Sequence, residues 1–222
     1  MTDQQRRSIG VGLLSFTAGS MDAIAFLALG DVFTSAMTGN TVLLGLAIGQ
    51  GQVSAALHSL AAFLGYALGV ALAVLPLRRP ARGIEQTVFL EALVLAGCAG
   101  VWAVRGGPAG PFEVYLLIVL SALAMGLQGA VGRALQIPGI PTIVITSTLT
   151  ALIGTLAERA LSRDRRIVTP ATWQQHVSFL IYLASAIGAG FAASRWLAWL
   201  PYVPLAGIVI LATGLRLRLL RM

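Results

Sequence analysis

Asp22 stands 14 residues into an apolar stretch that runs from Ile9 to Leu29. A carboxyl group at that depth of a membrane segment costs about 2.5–3.5 kcal/mol on insertion scales, so it has to face the protein interior or a cavity. Two kinds of role fit it. One is proton coupling or contact with a polar substrate. The other is a hydrogen bond to backbone or hydroxyl groups that packs one helix on another. Gly12, Ser15, Gly19 and Asp22 fall near one helical face, which lets another backbone approach closely. Farther along comes Thr38-Gly39-Asn40-Thr41, which contains the only asparagine of the chain. A helix starting there has free N–H groups and the positive end of its dipole, which attract anions and polar oxygens. A second polar cluster, Thr146-Ser147-Thr148-Leu149-Thr150, opens a later apolar stretch, and Gln128 interrupts another. The candidate substrate-binding set is therefore Asp22, Thr38, Gly39, Asn40, Thr41, Gln128, Thr146 and Thr148. The alternative for the two Thr clusters is a pair of ordinary caps at the ends of full spans.

The elements that carry these residues follow from the distribution of charge. The chain has 222 residues, 57% hydrophobic and only 10% charged. A soluble domain typically carries about 25% charged residues. No charged residue occurs from Val32 to Leu77, from Ala134 to Ala157, from Ile167 to Ser194, or from Trp196 to Leu215. A spanning helix needs about 20 apolar residues, so the chain reads as an all-α, polytopic transmembrane bundle. Continuous apolar runs, without strand-like alternation, argue against a barrel. Breaks at Gly, Pro and charge mark eight segments: 9–29, 33–49, 55–75, 84–104, 112–135, 142–160, 177–197 and 201–219. Counted from Thr38, the second is too short to cross a hydrocarbon core of about 30 Å; counted from Phe33, it could just span.

Arginine placement sets the expected topology. All 15 basic residues are arginine. With the N-terminus cytoplasmic and segments 33–49 and 142–160 re-entrant, 13 arginines fall inside and only Arg105 and Arg195 outside. If all eight segments span, the split is 10 to 5. The positive-inside rule thus predicts about six spans plus two short or re-entrant helices, with both termini cytoplasmic. The halves look alike. Gly19-Ser20-Met21-Asp22-Ala23 aligns with Gly126-Leu127-Gln128-Gly129-Ala130, Thr38–Ala47 with Thr146–Leu156, and the pair Gly65 and Gly69 with Ala184 and Gly188. Residues 1–222 are expected to form one transmembrane domain, with repeat A at 9–104 and repeat B at 112–219. Three spans per half force the two repeats into opposite orientations, an arrangement common in transporters.

Several residues have a plainer reading beside a functional one. The small-residue pairs Gly65/Gly69 and Ala184/Gly188 suit helix packing. Glu91, about eight residues into its segment, either lines a pathway or is a paired structural acid. Arg133 either snorkels to the interface or holds an anion. His58 and His176 lack neighbouring carboxylates and read as interfacial rather than as metal ligands. Trp173, Trp196, Trp199 and Tyr202 sit where interface anchors do. The lone cysteine, Cys98, precludes an intrachain disulfide and a thiolate cluster. Arg6-Arg7 before an apolar run resembles a secretory signal, but the run continues as a full span, so no cleavage is expected. Gly-x-Ser-x-Gly, His-Glu-x-x-His and phosphate-loop patterns are missing. No enzyme activity, catalytic residue, metal or cofactor is expected.

Gly19-x-x-Asp22-Ala23, Phe33-x-x-x-Met37-Thr38-Gly39-Asn40-Thr41, Gly126-Leu127-Gln128 and the 142–150 stretch together make the chain similar to the YoaK family of bacterial membrane proteins, a domain of unknown function. The resemblance covers nearly the whole chain. Where that family tends to show Gln-Asn and Thr-Gly, this chain has Gln128-Gly129 and Thr146-Ser147. The resemblance implies a multi-pass protein of the bacterial cytoplasmic (inner) membrane with about six spans, and it implies no substrate. The residues themselves point to a small secondary transporter or channel for a polar or anionic solute, its site at paired helix N-termini near the midplane. The alternative is a non-transporting membrane protein: a sensor, chaperone or assembly subunit. Expected partners are the lipid bilayer and a small polar solute; a homo-oligomer is compatible with the sequence, and nucleic acid is not expected.

Overall fold

The structure is a computed structural model and describes residues 2–79, 82–135, 149–150, 153–154, 157, 170–220 and 222. Thr2 starts the first helix with a capping box: its hydroxyl accepts from the Gln5 amide at 3.2 Å, and the Gln5 side chain accepts from the Thr2 amide at 2.8 Å. Helix α1 therefore begins at Asp3, ahead of the apolar stretch, and runs to Ala28. It is followed by α2 (Met37–Gly49), α3 (Val53–Leu77), α4 (Gly83–Arg105), α5 (Pro111–Ala134) and α6 (Pro170–Ala193). A 3-10 turn (Leu197–Trp199) leads into α7 (Tyr202–Arg216). Among the described residues, six helices are long and apolar enough to cross a membrane, the sixth counted from Leu197 through α7. The 13 residues of α2 reach about 20 Å, short of a hydrocarbon core of about 30 Å. Segment 142–160, with Thr146 and Thr148, lies almost wholly outside the described residues.

Helices α1 and α5 are the most buried spans and form the centre; α3 and α6 are the least buried. The largest contacts are α3 on α5 and α1 on α6, then α4 on α5 and α1 on α7. Helices α4 and α7 pack on each other, and α2 rests on α3. Leu64, Leu68, Leu75, Leu180 and Ile187 project outward from α3 and α6, the expected dress of a lipid-facing surface. Trp173, Trp196, Trp199 and Tyr202 are exposed near helix ends, where interface anchors sit.

Three contacts fix which ends lie together. Arg6 Nη1 donates to the Arg218 carbonyl at 3.0 Å, Arg7 Nη2 to the Leu135 carbonyl at 2.9 Å, and Arg216 pairs with Glu85 at 3.2 Å. The start of α1, the start of α4, the end of α5 and the end of α7 therefore share one face, and both described ends of the chain lie on it. Arg105 and Glu113 pair at 3.6 Å on the opposite face. Arg133 is exposed in the last turn of α5, at the arginine-rich face.

One packing expectation is corrected. Gly65 and Gly69 do admit the α5 backbone, at Val119 and Leu123. Ala184 is exposed, however, and a Cβ on Gly188 would meet none of the described residues within 4 Å. Helix α6 packs instead through Ser178, Tyr182, Ser185 and Ala189, a face rotated by about 100° around the helix. Small size makes either face available for close approach. The groups on the opposing helix decide between them.

Candidate functional site

After α1 the chain turns back on itself. Gly30 has φ +87 and Asp31 φ +57. A side chain at Gly30 would also overlap the His58 imidazole, so glycine is required there twice over. His58 in turn packs on the Tyr115 ring, centroids 4.9 Å apart. The chain then re-enters the bundle without helical structure, with Leu29, Val32, Thr34 and Ser35 all buried. Backbone in this state cannot satisfy its own amides, and non-helical backbone at membrane depth has to be buried in protein or line a cavity.

Asp22 supplies what that segment lacks. It lies six residues, or about 9 Å, back from the end of α1 and is 2% exposed. Its Oδ1 accepts from the Thr34 and Ser35 amides, both at 2.7 Å, and from the Thr34 hydroxyl at 3.1 Å. Its Oδ2 accepts from the Ser35 hydroxyl at 2.6 Å and the Tyr182 hydroxyl at 2.7 Å. Thr34 and Ser35 immediately precede Ala36, the N-cap of α2. The carboxyl group thus sits at the positive end of the α2 dipole. The anion expected at this helix start is a side chain of the protein itself.

Asn40 performs a matching task from within α2. Its Oδ1 accepts from the Phe33 amide at 2.8 Å and its Nδ2 donates to the Phe33 carbonyl at 2.6 Å. The amide pairs both backbone groups of one unwound residue, as a neighbouring strand would. A primary amide offers an acceptor and a donor side by side. A Cβ on Gly39 would come within 2.9 Å of the Phe33 ring, which stacks on Phe26 at 5.2 Å between centroids. The Gly39-Asn40 pair thereby seats Phe33.

The expected site residues therefore divide. Asp22 and Asn40 are brought together on the 33–35 segment, but as its internal partners. Neither Thr38 nor Asn40 caps α2, which has no side-chain cap. Thr41 bonds back to the Met37 carbonyl at 3.0 Å. Thr38, exposed, and Gly39, half-buried, form the first turn of α2. Gln128 stands apart: its Nε2 donates to the Leu14 carbonyl at 3.0 Å, tying α5 to α1, while its buried Oε1 has no partner among the described residues. Thr146 and Thr148 lie outside the described residues. The sequence reading missed Thr34, Ser35 and Tyr182. A signal existed for Tyr182, since Tyr66 occupies a similar place in the third segment, but an isolated tyrosine in an apolar run does not announce its partner.

The two large helix pairs repeat one geometry. A Cβ on Gly19 of α1 would overlap the Tyr182 carbonyl and the Ser185 hydroxyl of α6. A Cβ on Gly126 of α5 would overlap the Tyr66 carbonyl of α3. The Tyr182 hydroxyl reaches Asp22; the Tyr66 hydroxyl abuts Gly129.

Comparison with known proteins agrees with this architecture. The family described as "Protein of unknown function (DUF1275)" matches residues 11–214. The UPF0700 transmembrane protein YoaK of Bacillus subtilis (strain 168) is 32% identical over 217 residues, covering 96% of each chain. No solved structure matches the chain.

Proposed function

The chain belongs to the DUF1275 family and is a transmembrane protein, and on that premise we propose that it is a small secondary transporter for a polar solute. The observation that carries this reading is the unwound Leu29–Ala36 connection, held at membrane depth by Asp22 and ending in the helix start at Met37. Discontinuous helices of this kind build the substrate sites of many secondary transporters. The solute would meet the first turn of α2, at Thr38 and Gly39. The dipole there is already answered by a carboxyl group, and the other carboxyl buried in the described spans is Glu91. A neutral or cationic polar solute therefore suits the site better than an anion.

An inverted repeat, 9–104 against 112–219, belongs to the same proposal. When Gly19 is set on Gly126, 12 of the 13 buried residues of α1 coincide with buried residues of α5. The Gly19–Tyr182 approach then matches Gly126–Tyr66, and Asp22 falls on Gly129. Helix α1 begins where α5 ends, so the two run in opposite directions. Thr38 and Thr146 would then be counterparts on opposite sides of the midplane. We place both termini in the cytoplasm, at a bacterial cytoplasmic membrane. What supports this is the described arginines: Arg6, Arg7, Arg78, Arg79, Arg82, Arg133, Arg216 and Arg218 share one face, against Arg105 and Arg195 on the other. Catalysis and a cofactor have no part in the reading.

Proteoliposomes test it. Uptake of labelled glycine, choline, urea and acetate is compared for the protein, for Thr38→Val and for empty vesicles. At least one of the first three should enter faster than in empty vesicles, and Thr38→Val should slow it severalfold. Uptake equal to empty vesicles for all four probes, together with a stable complex with another membrane protein on mild extraction, would overturn transport in favour of an assembly role.

A further inference from the structure

Two acids are buried within the described spans, and their surroundings are opposite. Asp22 accepts five hydrogen bonds. Glu91 is 0% exposed, and neither of its oxygens has a partner among the described residues. The sequence allowed it to be a paired structural acid; it is not paired. We infer that Glu91 is a proton-binding site: its carboxyl carries a proton inside the bundle and gives it up to water when the surrounding helices open. The coupling half of this inference rests on the transporter reading; the protonated acid does not.

The geometry leaves few alternatives. Glu91 lies eight residues above the start of α4, which packs on α5 and α7 and, less extensively, on α3. No Asp, Glu, Arg, His, Cys or Tyr occurs over residues 67–77 of α3, 116–132 of α5 or 203–215 of α7. Titratable groups on these elements lie toward the ends or point elsewhere. Arg78, Arg133 and the Glu85–Arg216 pair belong to the arginine-rich face, and Arg105, Glu113 and Tyr115 to the other. Tyr202 opens α7, Cys98 is two turns farther along α4, His58 packs on Tyr115, and the Tyr66 hydroxyl is turned to Gly129. An ionised carboxylate without a counter-charge or donor is not sustained in an apolar interior; such a group neutralises instead. A metal cation would need several oxygens around it. Thr87, the hydroxyl one turn away on the same helix, is spent on the Gly83 carbonyl at 2.7 Å. That leaves a proton.

Position gives the proton a use. Helix α4 closes the first proposed repeat, and its contacts with α5 and α7 are contacts with the second. If the halves rock against each other, this seam opens and closes. The carboxylic acid would then release H⁺ to water on one side and, as carboxylate, take one up on the other.

Dicyclohexylcarbodiimide tests the protonated acid directly. A protonated carboxyl adds across one N=C bond of the reagent. The carboxyl oxygen bonds to its carbon, the proton passes to nitrogen, and the adduct rearranges to a stable N-acylurea. Peptide mass spectrometry of the protein in proteoliposomes should find this adduct on Glu91 and not on Asp22. Glu91→Gln should lose it, and should also lose the infrared C=O band of a protonated acid. An unmodified Glu91 under conditions that modify exposed carboxyls, or no infrared difference between the two proteins, overturns the site. For coupling, a pH gradient is imposed and whichever of glycine, choline or urea the protein moves is followed. The wild type should concentrate the probe at least tenfold, and Glu91→Gln should only equilibrate it. Accumulation that survives Glu91→Gln overturns the coupling role. If none of the probes moves in the wild type, the transporter reading falls with coupling, and the adduct and infrared band still decide the acid.

Discussion

Asp22 and Ser35 are joined by two hydrogen bonds, one to each carboxyl oxygen: the Ser35 amide reaches Oδ1 at 2.7 Å and its hydroxyl reaches Oδ2 at 2.6 Å. This bidentate grip ties the start of the short helix α2 to α1. Because the Thr34 and Ser35 amides have no helical partner, the carboxyl group replaces the hydrogen bonds that unwinding removes.

Asp22→Asn should therefore loosen the hairpin rather than merely neutralise a charge. Its Nδ2 would face donors, leaving buried groups unmatched at about 1–3 kcal/mol each. Tyr182→Phe removes one bond and leaves the others, so its cost should be smaller. Thermal unfolding in detergent should rank wild type above Tyr182→Phe and Tyr182→Phe above Asp22→Asn. Hydrogen exchange at the Thr34 and Ser35 amides should quicken in Asp22→Asn. Unchanged exchange there would refute the clamp.

Asn40→Asp changes only NH₂ to oxygen, and so isolates the bond donated to the Phe33 carbonyl. It should destabilise the hairpin, because two oxygens then face each other. Gly39→Ala should cost about 1–3 kcal/mol by overpacking against the Phe33 ring, and Phe33→Leu should relieve part of that loss. Additive losses in the double variant would show that the ring and Gly39 do not meet.

Gly129 offers a sharper pair. A methyl group there overlaps the Tyr66 hydroxyl, whereas the ring carbon behind it stands at 3.2 Å. Gly129→Ala should lower the melting temperature, and Tyr66→Phe should recover most of the loss while having little effect alone. A double-mutant cycle measures the coupling; a value near zero contradicts the geometry.

Topology can be read by labelling in a Cys98→Ser background. Gly51 has φ +68, so cysteine is better placed at the exposed neighbour Gln52. An impermeant reagent applied outside intact cells should reach Gln52→Cys and Arg105→Cys alike. Labelling of Gln52→Cys only from the cytoplasmic side would mean that 33–49 crosses the membrane, and the re-entrant hairpin would be wrong.

The sequence by itself determined the class of the protein. Scarce charge and long apolar runs specify spans, and α3, α4 and α5 begin and end within two residues of the segments marked from periodicity and breaks. The length of the second apolar run, counted from Phe33, left a crossing open; the unwound 33–36 stretch shortens its helix to 13 residues. Asp22, Gly39 and Asn40 stood out because a buried acid is costly and a lone asparagine is conspicuous. What the sequence did not determine is what those residues face. Tyr182 is 160 positions from Asp22 and reaches it because Gly19 lets α6 lie against α1. Gly188 has the same local credentials as Gly69 yet packs on none of the described residues within 4 Å. Glu91 looked like Asp22 on paper; among the described residues, Asp22 is ringed by donors and Glu91 by none. Hydropathy is additive along the chain and can be summed residue by residue. Hydrogen-bond satisfaction depends on which groups distant helices bring within 3 Å, and only tertiary packing decides that.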